Sequence, residues 1–330
     1  MARKLADVAK QAGVSEATVS RVLNGRPGIS EGTRAAVLTA LDVIGYERPT
    51  HLRVRRARMV GLIVPELQNP VFPALAEVVS GALAQRGFNA VLCTRTGSMS
   101  EAEYVEMLLE RQVSGMIFAG GQYAEADAPH EHYERLLQLR LPVVLVNAAA
   151  EHLDFPRVST DDAVAMEQAY AHLAYLGHER IGLILGPPDH VPCARKLAAF
   201  EQVANAPSEF VERTRFSLEG GHAAGRRLID RGVTAIICAS DPLALGAIRA
   251  ARRSGLSVPT DLSVIGYDDS LLMSCTDPPL TTVRQPLEAI GRAAVEMLAG
   301  QIEGSPVSTE ELFFEPEVVA RGSTANAPGP

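Results

Sequence analysis

The sequence predicts an N-terminal all-α helix-turn-helix headpiece followed by a two-lobed α/β core built on parallel sheets. Three observations predict it. The first 45 residues carry three apolar stripes at helical spacing, with a glycine between the first two. From residue 60 the period changes, and apolar strands of five to seven residues alternate with amphipathic helices. That rhythm restarts after Asp161, so a second α/β lobe follows the first.

In the head, Leu5, Val8, Ala9 and Ala12 recur at i, i+3, i+4 and i+7, and Gly13 suits the left-handed residue that ends such a helix. Ser15 is placed to cap a second helix from Glu16 to about Leu23. Burying Val19 and Leu23 leaves Glu16, Ala17, Ser20, Arg21 and Asn24 on or near the other side. Behind a Ser30 cap, Val37, Ala40, Leu41 and Ile44 supply a third helix that covers the first two.

In the body, VGLIVP (60–65), NAVLCT (89–94), GMIFAG (115–120) and PVVLVN (142–147) read as strands, with helices near 73–86, 100–111 and 130–139. The second set is RIGLILG (180–186), a strand near 213–217, AIICAS (235–240) and LSVIGYD (262–268). Near-continuous apolar strands joined by crossover helices imply parallel sheets covered on both faces. The expected plan is a head over 1–45, a basic hinge over 46–59, a core over 60–320 and a flexible polar tail over 321–330.

Composition narrows the function. With 330 residues at 47% hydrophobic and 21% charged, the chain is long enough for two or three domains and too apolar for wholesale disorder. It has no apolar run of the roughly 18 residues a membrane span needs, and no signal-peptide core follows its first basic residues. A soluble, cytoplasmic protein with no membrane partner is therefore expected. Cys93, Cys193, Cys238 and Cys275 lie far apart without a C-x-x-C pair, so no metal and no cofactor are expected.

The net charge of −8 hides an asymmetry. Residues 1–60 hold 11 Lys and Arg against 5 Asp and Glu, and the remaining 270 hold 20 against 34. A small basic head on an acidic body is the electrostatic footprint of phosphate binding.

The segment LADVAKQAGVSEATVSRVLNGRPGISEGTRAAVLTALDVIGY resembles the DNA-binding headpiece of the LacI/GalR family of bacterial regulators. The likeness continues through V-G-L-I-V-P, N-P-x-F, the L-G-H-x-R-I segment from Leu176, S-D-P-L-A-L-G-A from Ser240, S-V-I-G-Y-D-D from Ser263 and P-L-T-T-V-R-Q-P from Pro279. The resemblance implies a periplasmic-binding-protein-like core whose chain crosses between lobes near Ser159, Gln285 and 305–312. Lobe 1 would then span about 60–159 and 286–304, and lobe 2 about 160–285 and 305–320. It also implies a sequence-specific transcriptional repressor that binds a palindromic operator in double-stranded DNA as a homodimer. A small-molecule effector, a sugar or related metabolite, would control it from the interlobe cleft.

Glu16 and Ala17 match the positions that read base edges, where Glu accepts from cytosine and Ala touches a thymine methyl. The alternative for Glu16 is a carboxylate complementing a helix N-terminus. Thr18, Ser20, Arg21 and Asn24 match family positions that contact phosphates or bases. Between Arg48 and Arg58 lie five arginines, including Arg53 and Arg55, around Leu52. This departs from the family's A-R-x-L-A hinge core, so Leu52 is either a minor-groove wedge or part of a basic tether.

Ligands of open parallel sheets bind beyond the carboxyl ends of the strands. That rule gathers Asn69, Phe72, Asp161, Asp162, Phe216, Ser240, Asp241 and Asp268 around a cleft. By resemblance, Asn69 and Phe72 are first-loop contacts, Phe216 is an aromatic platform and Asp268 binds hydroxyls. Lys196 falls where the family places an effector-binding arginine, with neighbouring Arg195 as the alternative; at Lys196 an ammonium replaces a planar fork. Carboxylates facing an aromatic ring suit a polyol. The competing readings are helix caps or turns for Asp161, Asp241 and Asp268, and plain core for Phe216. No G-x-G-x-x-G, P-loop or G-x-S-x-G pattern is present, so an enzyme is not expected. A periplasmic solute-binding protein shares the body but has no use for such a head.

Overall fold

A computed structural model of the chain describes residues 5–23, 29–44, 58–95, 99–147, 152–204 and 209–329. Asn24, Leu52, Arg53 and Arg55 of the expected DNA contacts lie outside these residues, as does the side chain of Ile44. The chain divides into two compact units, Met1–Arg58 and Met59–Pro330.

The first unit contains α1 (Leu5–Ala12), α2 (Glu16–Leu23) and α3 (Glu31–Ile44). Gly13 ends α1 at φ +67°, a backbone value that costs a side chain. Ser15 accepts from the Thr18 amide at 3.2 Å and Ser30 from the Thr33 amide at 3.2 Å, satisfying donors at the starts of α2 and α3. Val8, Val19, Val22, Val37 and Leu41 are fully buried together. Val22 joins Val19 and Leu23, which widens the buried stripe of α2 beyond the one read from sequence.

In the second unit, β1 (Met59–Val64), β2 (Asn89–Thr94), β3 (Gly115–Phe118), β4 (Val143–Val146), β5 (Arg157–Thr160) and β11 (Glu311–Phe314) form the first sheet, in the order β11-β5-β4-β3-β1-β2. All its pairings are parallel. The helices α4 (Val71–Gln85), α5 (Glu101–Glu110), α6 (Glu131–Gln138) and α11 (Leu287–Glu303) flank it. Val60, Leu62 and Val64 join one apolar cluster with Leu75, Val79 and Leu298, whereas Ile63 joins another with Leu108 and Leu136. Burial on both faces explains why these strands show no polar alternation.

The second sheet holds β6 (Ile181–Leu185), β7 (Val211–Arg213), β8 (Ala235–Cys238), β9 (Ser263–Asp268), β10 (Thr281–Arg284) and β12 (Glu317–Val319), in the order β12-β10-β9-β8-β6-β7. Only β12 is antiparallel to its neighbour. Its helices are α7 (Asp162–Tyr175), α8 (Val191–Ala204), α9 (Leu218–Asp230) and α10 (Asp241–Arg253).

Three expectations are corrected. Glu311–Phe314 pairs in parallel with β5 of lobe 1, so the third crossing falls after Phe314 and residues 305–320 are not all lobe 2. The strand expected near 213–217 is Val211–Arg213, because Ser217 already caps α9 by accepting from the Gly220 amide at 3.0 Å. The tail is docked rather than free: Ser323 is buried and accepts from the Thr281 amide at 2.8 Å, and the Ala327 amide donates to the Leu176 carbonyl at 2.8 Å. A polar composition suggested disorder, but each of these polar groups meets a partner on lobe 2.

Candidate functional site

In the head, Glu16, Ala17 and Arg21 are exposed along α2, while Thr18 and Ser20 are half-buried. Thr18 bonds Ser15 through its hydroxyl at 2.9 Å, so it also stabilises the start of the helix. An exposed helix N-terminus with a following arginine is the arrangement that presents side chains to base edges and a cation to phosphate.

In the body, the carboxyl ends of both sheets face a cleft of about 540 Å³. Its volume lies inside the roughly 300–1,000 Å³ of small-molecule sites. Asn69, Phe72, Lys196, Phe216, Ser240 and Asp268 all line it. Asp268 is buried and bridges the lobes: it accepts from Asn69 Nδ2 at 3.3 Å and from Gln285 Nε2 at 2.7 Å. Its φ of +119° breaks strand alternation, so Tyr267 and Asp268 both reach the cleft.

Beside Asp268 the lining holds an ion pair. Lys196, 5% exposed, donates to Asp162 Oδ1, and the Tyr267 hydroxyl donates to the same oxygen at 3.0 Å. The Lys196 ammonium also stands 4.1 Å from the Tyr267 ring centroid, a cation–π contact. Phe216 packs over the backbone at Gly186, where a Cβ would overlap its ring. His190 meets Phe216 edge to face, ring centroids 5.4 Å apart. An aromatic face beside carboxylates can hold the C–H face of a sugar while its hydroxyls donate.

Burial sets the protonation of this region. It pushes the Asp268 carboxyl well above the usual range, and the Asp241 carboxylate adds to that. Asp241 is itself pushed up to about 6 by burial, opposed by hydrogen bonds from Thr282 and Ser270. Burial lowers His190 to about 4, with the Lys196 charge acting in the same direction, so His190 is neutral at pH 7.

Two expected effector residues do not join the cleft. Asp161 caps α7, its Oδ1 accepting from the Ala163 and Val164 amides at 3.0 and 3.1 Å. Asp241 is fully buried and accepts from Thr282 Oγ1 and the Ser270 amide, both at 2.7 Å. Each therefore holds backbone in place, and Asp162, one residue after Asp161, supplies the cleft carboxylate.

Residues 4–49 match the model of bacterial regulatory proteins of the lacI family, and residues 170–324 match that of periplasmic binding protein-like domains. The HTH-type transcriptional regulator reg1 of Streptomyces lividans is 52% identical over 340 residues, covering 100% of this chain and 99% of the relative. The chain belongs to the LacI family.

It is a DNA-binding transcriptional regulator, repressor-like, and not an enzyme. Among solved structures, this regulator is similar to the transcriptional regulator CelR in complex with cellobiose, with TM-score 0.72 and 33% identity over 97% of this chain and 99% of that one. It is also similar to the lac repressor dimer bound to operator and the anti-inducer ONPF, with TM-score 0.73 and 26% identity over 98% and 99%. Among the described residues, no helix is long and apolar enough to cross a membrane.

Sequence reasoning missed Tyr267, His190 and Tyr123 as cleft residues. Tyr267 lay beside Asp268 in G-Y-D-D, but a regular strand would have turned it to the other face. Tyr123 follows the glycines at 120 and 121 on a short 3-10 turn, and no sequence period marks such a turn.

Proposed function

We propose that this regulator is a homodimeric repressor that binds a two-fold symmetric operator and is controlled by a sugar-class effector in the interlobe cleft. The observation that carries the reading is Asp268, bonded both to Asn69 and to Gln285 at the lobe crossing, in a cleft walled by Phe216. A ligand that replaces or tightens these bonds favours one lobe arrangement over another, which is what an effector must do to shift an equilibrium. Carboxylate acceptors and an aromatic face favour a polyol. The likeness to CelR with cellobiose supports a saccharide, and the likeness to the lac repressor dimer on operator supports two-fold assembly on DNA. One head offers few base contacts, and a dimer doubles them across a palindrome with half-sites about one helical turn apart. The protein then acts on the nucleoid in the cytoplasm. Glu16, Ala17, Thr18, Ser20 and Arg21 serve as DNA contacts.

The test selects operator DNA from a randomised pool with the full-length protein, then titrates mono- to trisaccharides into the complex. The expected result is a palindromic site whose affinity one saccharide changes. Selection of a non-symmetric site, or of none, overturns the dimeric reading. A cleft that binds no saccharide overturns the effector reading.

A further inference from the structure

The ion pair in the cleft wall bears on the charge of the effector. Lys196 is the cation the cleft buries; Arg95 and Arg215, which also line it, are exposed. Asp162 is buried with Lys196 and takes its ammonium on Oδ1. The pair is neutral as a unit. Tyr267 holds it from both sides, its hydroxyl bonded to Asp162 and its ring under the ammonium.

Resting on the sugar reading above, we infer that the effector is an uncharged saccharide and that Asp162 is the residue that sets this selectivity, by neutralising Lys196. A phosphate or carboxylate brought to this wall must give up its water, and the cation that would repay it already has a partner. Elsewhere in the lining, Glu66, Glu125 and Asp189 outnumber the cations Arg95 and Arg215. Arg95 lies 3.9 Å from Glu125, and Arg215 at the rim remains screened by solvent. A neutral polyol meets no such obstacle, because its hydroxyls donate to Asp268 and accept from His190 or Ser240 without moving a net charge.

Asp162→Asn keeps the volume and leaves the Lys196 ammonium without its counter-charge in a buried wall. That is a strong position for an anion, since a compact ammonium pairs well with phosphate or carboxylate.

The experiment is calorimetric titration of the full chain with matched pairs: cellobiose and cellobionate, trehalose and trehalose 6-phosphate, glucose and glucose 6-phosphate. The wild type is expected to prefer the neutral member of whichever pair it binds by at least about tenfold, and Asp162→Asn to move that ratio at least about tenfold toward the anion. The double variant Asp162→Asn/Lys196→Met, which carries no buried charge there, is expected to return the preference to the neutral sugar. It also serves if the single variant fails to fold. A wild type that binds a charged member as well as its neutral twin overturns the inference and leaves the sugar reading standing. So does a ratio that neither variant alters. If no member of these pairs binds, the matched pair is made from the saccharide that the operator screen selects; if no mono- to trisaccharide binds, the sugar reading falls, and the inference falls with it.

Discussion

The Asn69 side-chain amide donates to Asp268 Oδ2 at 3.3 Å, tying the loop after β1 in one lobe to the end of β9 in the other. Asn69 Oδ1 in turn accepts from the Val71 amide at 3.4 Å, at the start of α4. The first turn of a lobe 1 helix is thus linked to a lobe 2 carboxyl by a single side chain. Gln285, on the crossing itself, holds the other oxygen of Asp268. Relative movement of the lobes must change these bonds, and a hydroxyl ligand competes for the same acceptor.

Asp268→Asn is therefore expected to weaken effector binding by about 1–3 kcal/mol, because one of the two oxygens that accept from Asn69 and Gln285 is replaced by an amide nitrogen that cannot accept. Titration of the saccharide found in the operator screen measures it. If the variant loses stability while its affinity per folded molecule is unchanged, Asp268 is a turn residue and its φ of +119° serves the fold alone.

Asp241 gives a pH dependence with a definite sign. Its folded value of about 6 lies above the unfolded 3.8, so between these pH values the folded state keeps a proton that the unfolded state has released. Stability then falls as pH rises from about 4 to about 6, by up to about 3 kcal/mol from this group. Urea unfolding across that window, compared between wild type and Asp241→Asn, isolates it. Equal slopes in both proteins would place the titration elsewhere.

Much of this was legible in the sequence, and the failures have physical causes. The helices of the head and the buried strands β1, β3, β4, β6 and β8 follow from apolar period alone. RVST at β5 and TTVR at β10 are short and polar, and they hold their places through ladder bonds that no single-sequence pattern reports. In the cleft, Asn69, Phe72, Phe216, Ser240 and Asp268 come from strand ends, which topology locates. Asp161 and Asp162 are adjacent carboxylates, and only the helix N-terminus decides which one caps and which one faces the ligand. Lys196 was legible as a cleft cation, but its neutralisation by Asp162 depends on a residue 34 positions away in the chain.

The lobes also meet away from Asp268. Arg195 on α8 donates through both terminal nitrogens to Glu311 on β11, at 2.7 and 2.8 Å, and Ser159 donates to the same carboxylate. These bonds hold the Glu311 carboxyl below its usual range against the opposing effect of burial. A double-mutant cycle with Arg195→Ala and Glu311→Ala is expected to give a coupling of about 1 kcal/mol, as Arg195 is a third exposed and partly screened. The same variants should alter the effector concentration needed for half-response, since they weaken one lobe arrangement. A coupling near zero would mean that solvent has dissolved the pair.

The docked C-terminal segment contributes to stability. Ser323 Oγ accepts from the Thr281 amide and donates to the Val264 carbonyl at 2.6 Å, between β9 and β10. Ser323→Ala leaves two buried backbone groups short of a partner and should cost about 1–3 kcal/mol. Chemical denaturation measures it, and a loss below a few tenths would show that water replaces the hydroxyl.

Reading and positioning separate along α2. Glu16 and Ala17 are exposed at its start, whereas Arg21 is exposed in its last turn. Side chains at the N-terminal end of a recognition helix reach base edges, and a cation a turn or more later meets backbone phosphate. Exchanging Glu16 and Ala17 should therefore change which half-site is preferred, with about 1–3 kcal/mol of discrimination for each bidentate pair made or broken. Arg21→Ala should weaken all sequences nearly alike and flatten the slope of log affinity against log salt by about one unit. The wild-type slope itself should be steep, because the first 60 residues hold 11 Lys and Arg against 5 Asp and Glu. Selection on randomised half-sites followed by salt titration of each variant tests both claims together. If the Glu16 and Ala17 exchange leaves the preferred site unchanged while Arg21→Ala rewrites it, the reading face of α2 lies about a turn further along the helix. Arg21 then becomes the base-reading residue, with guanine as its natural partner.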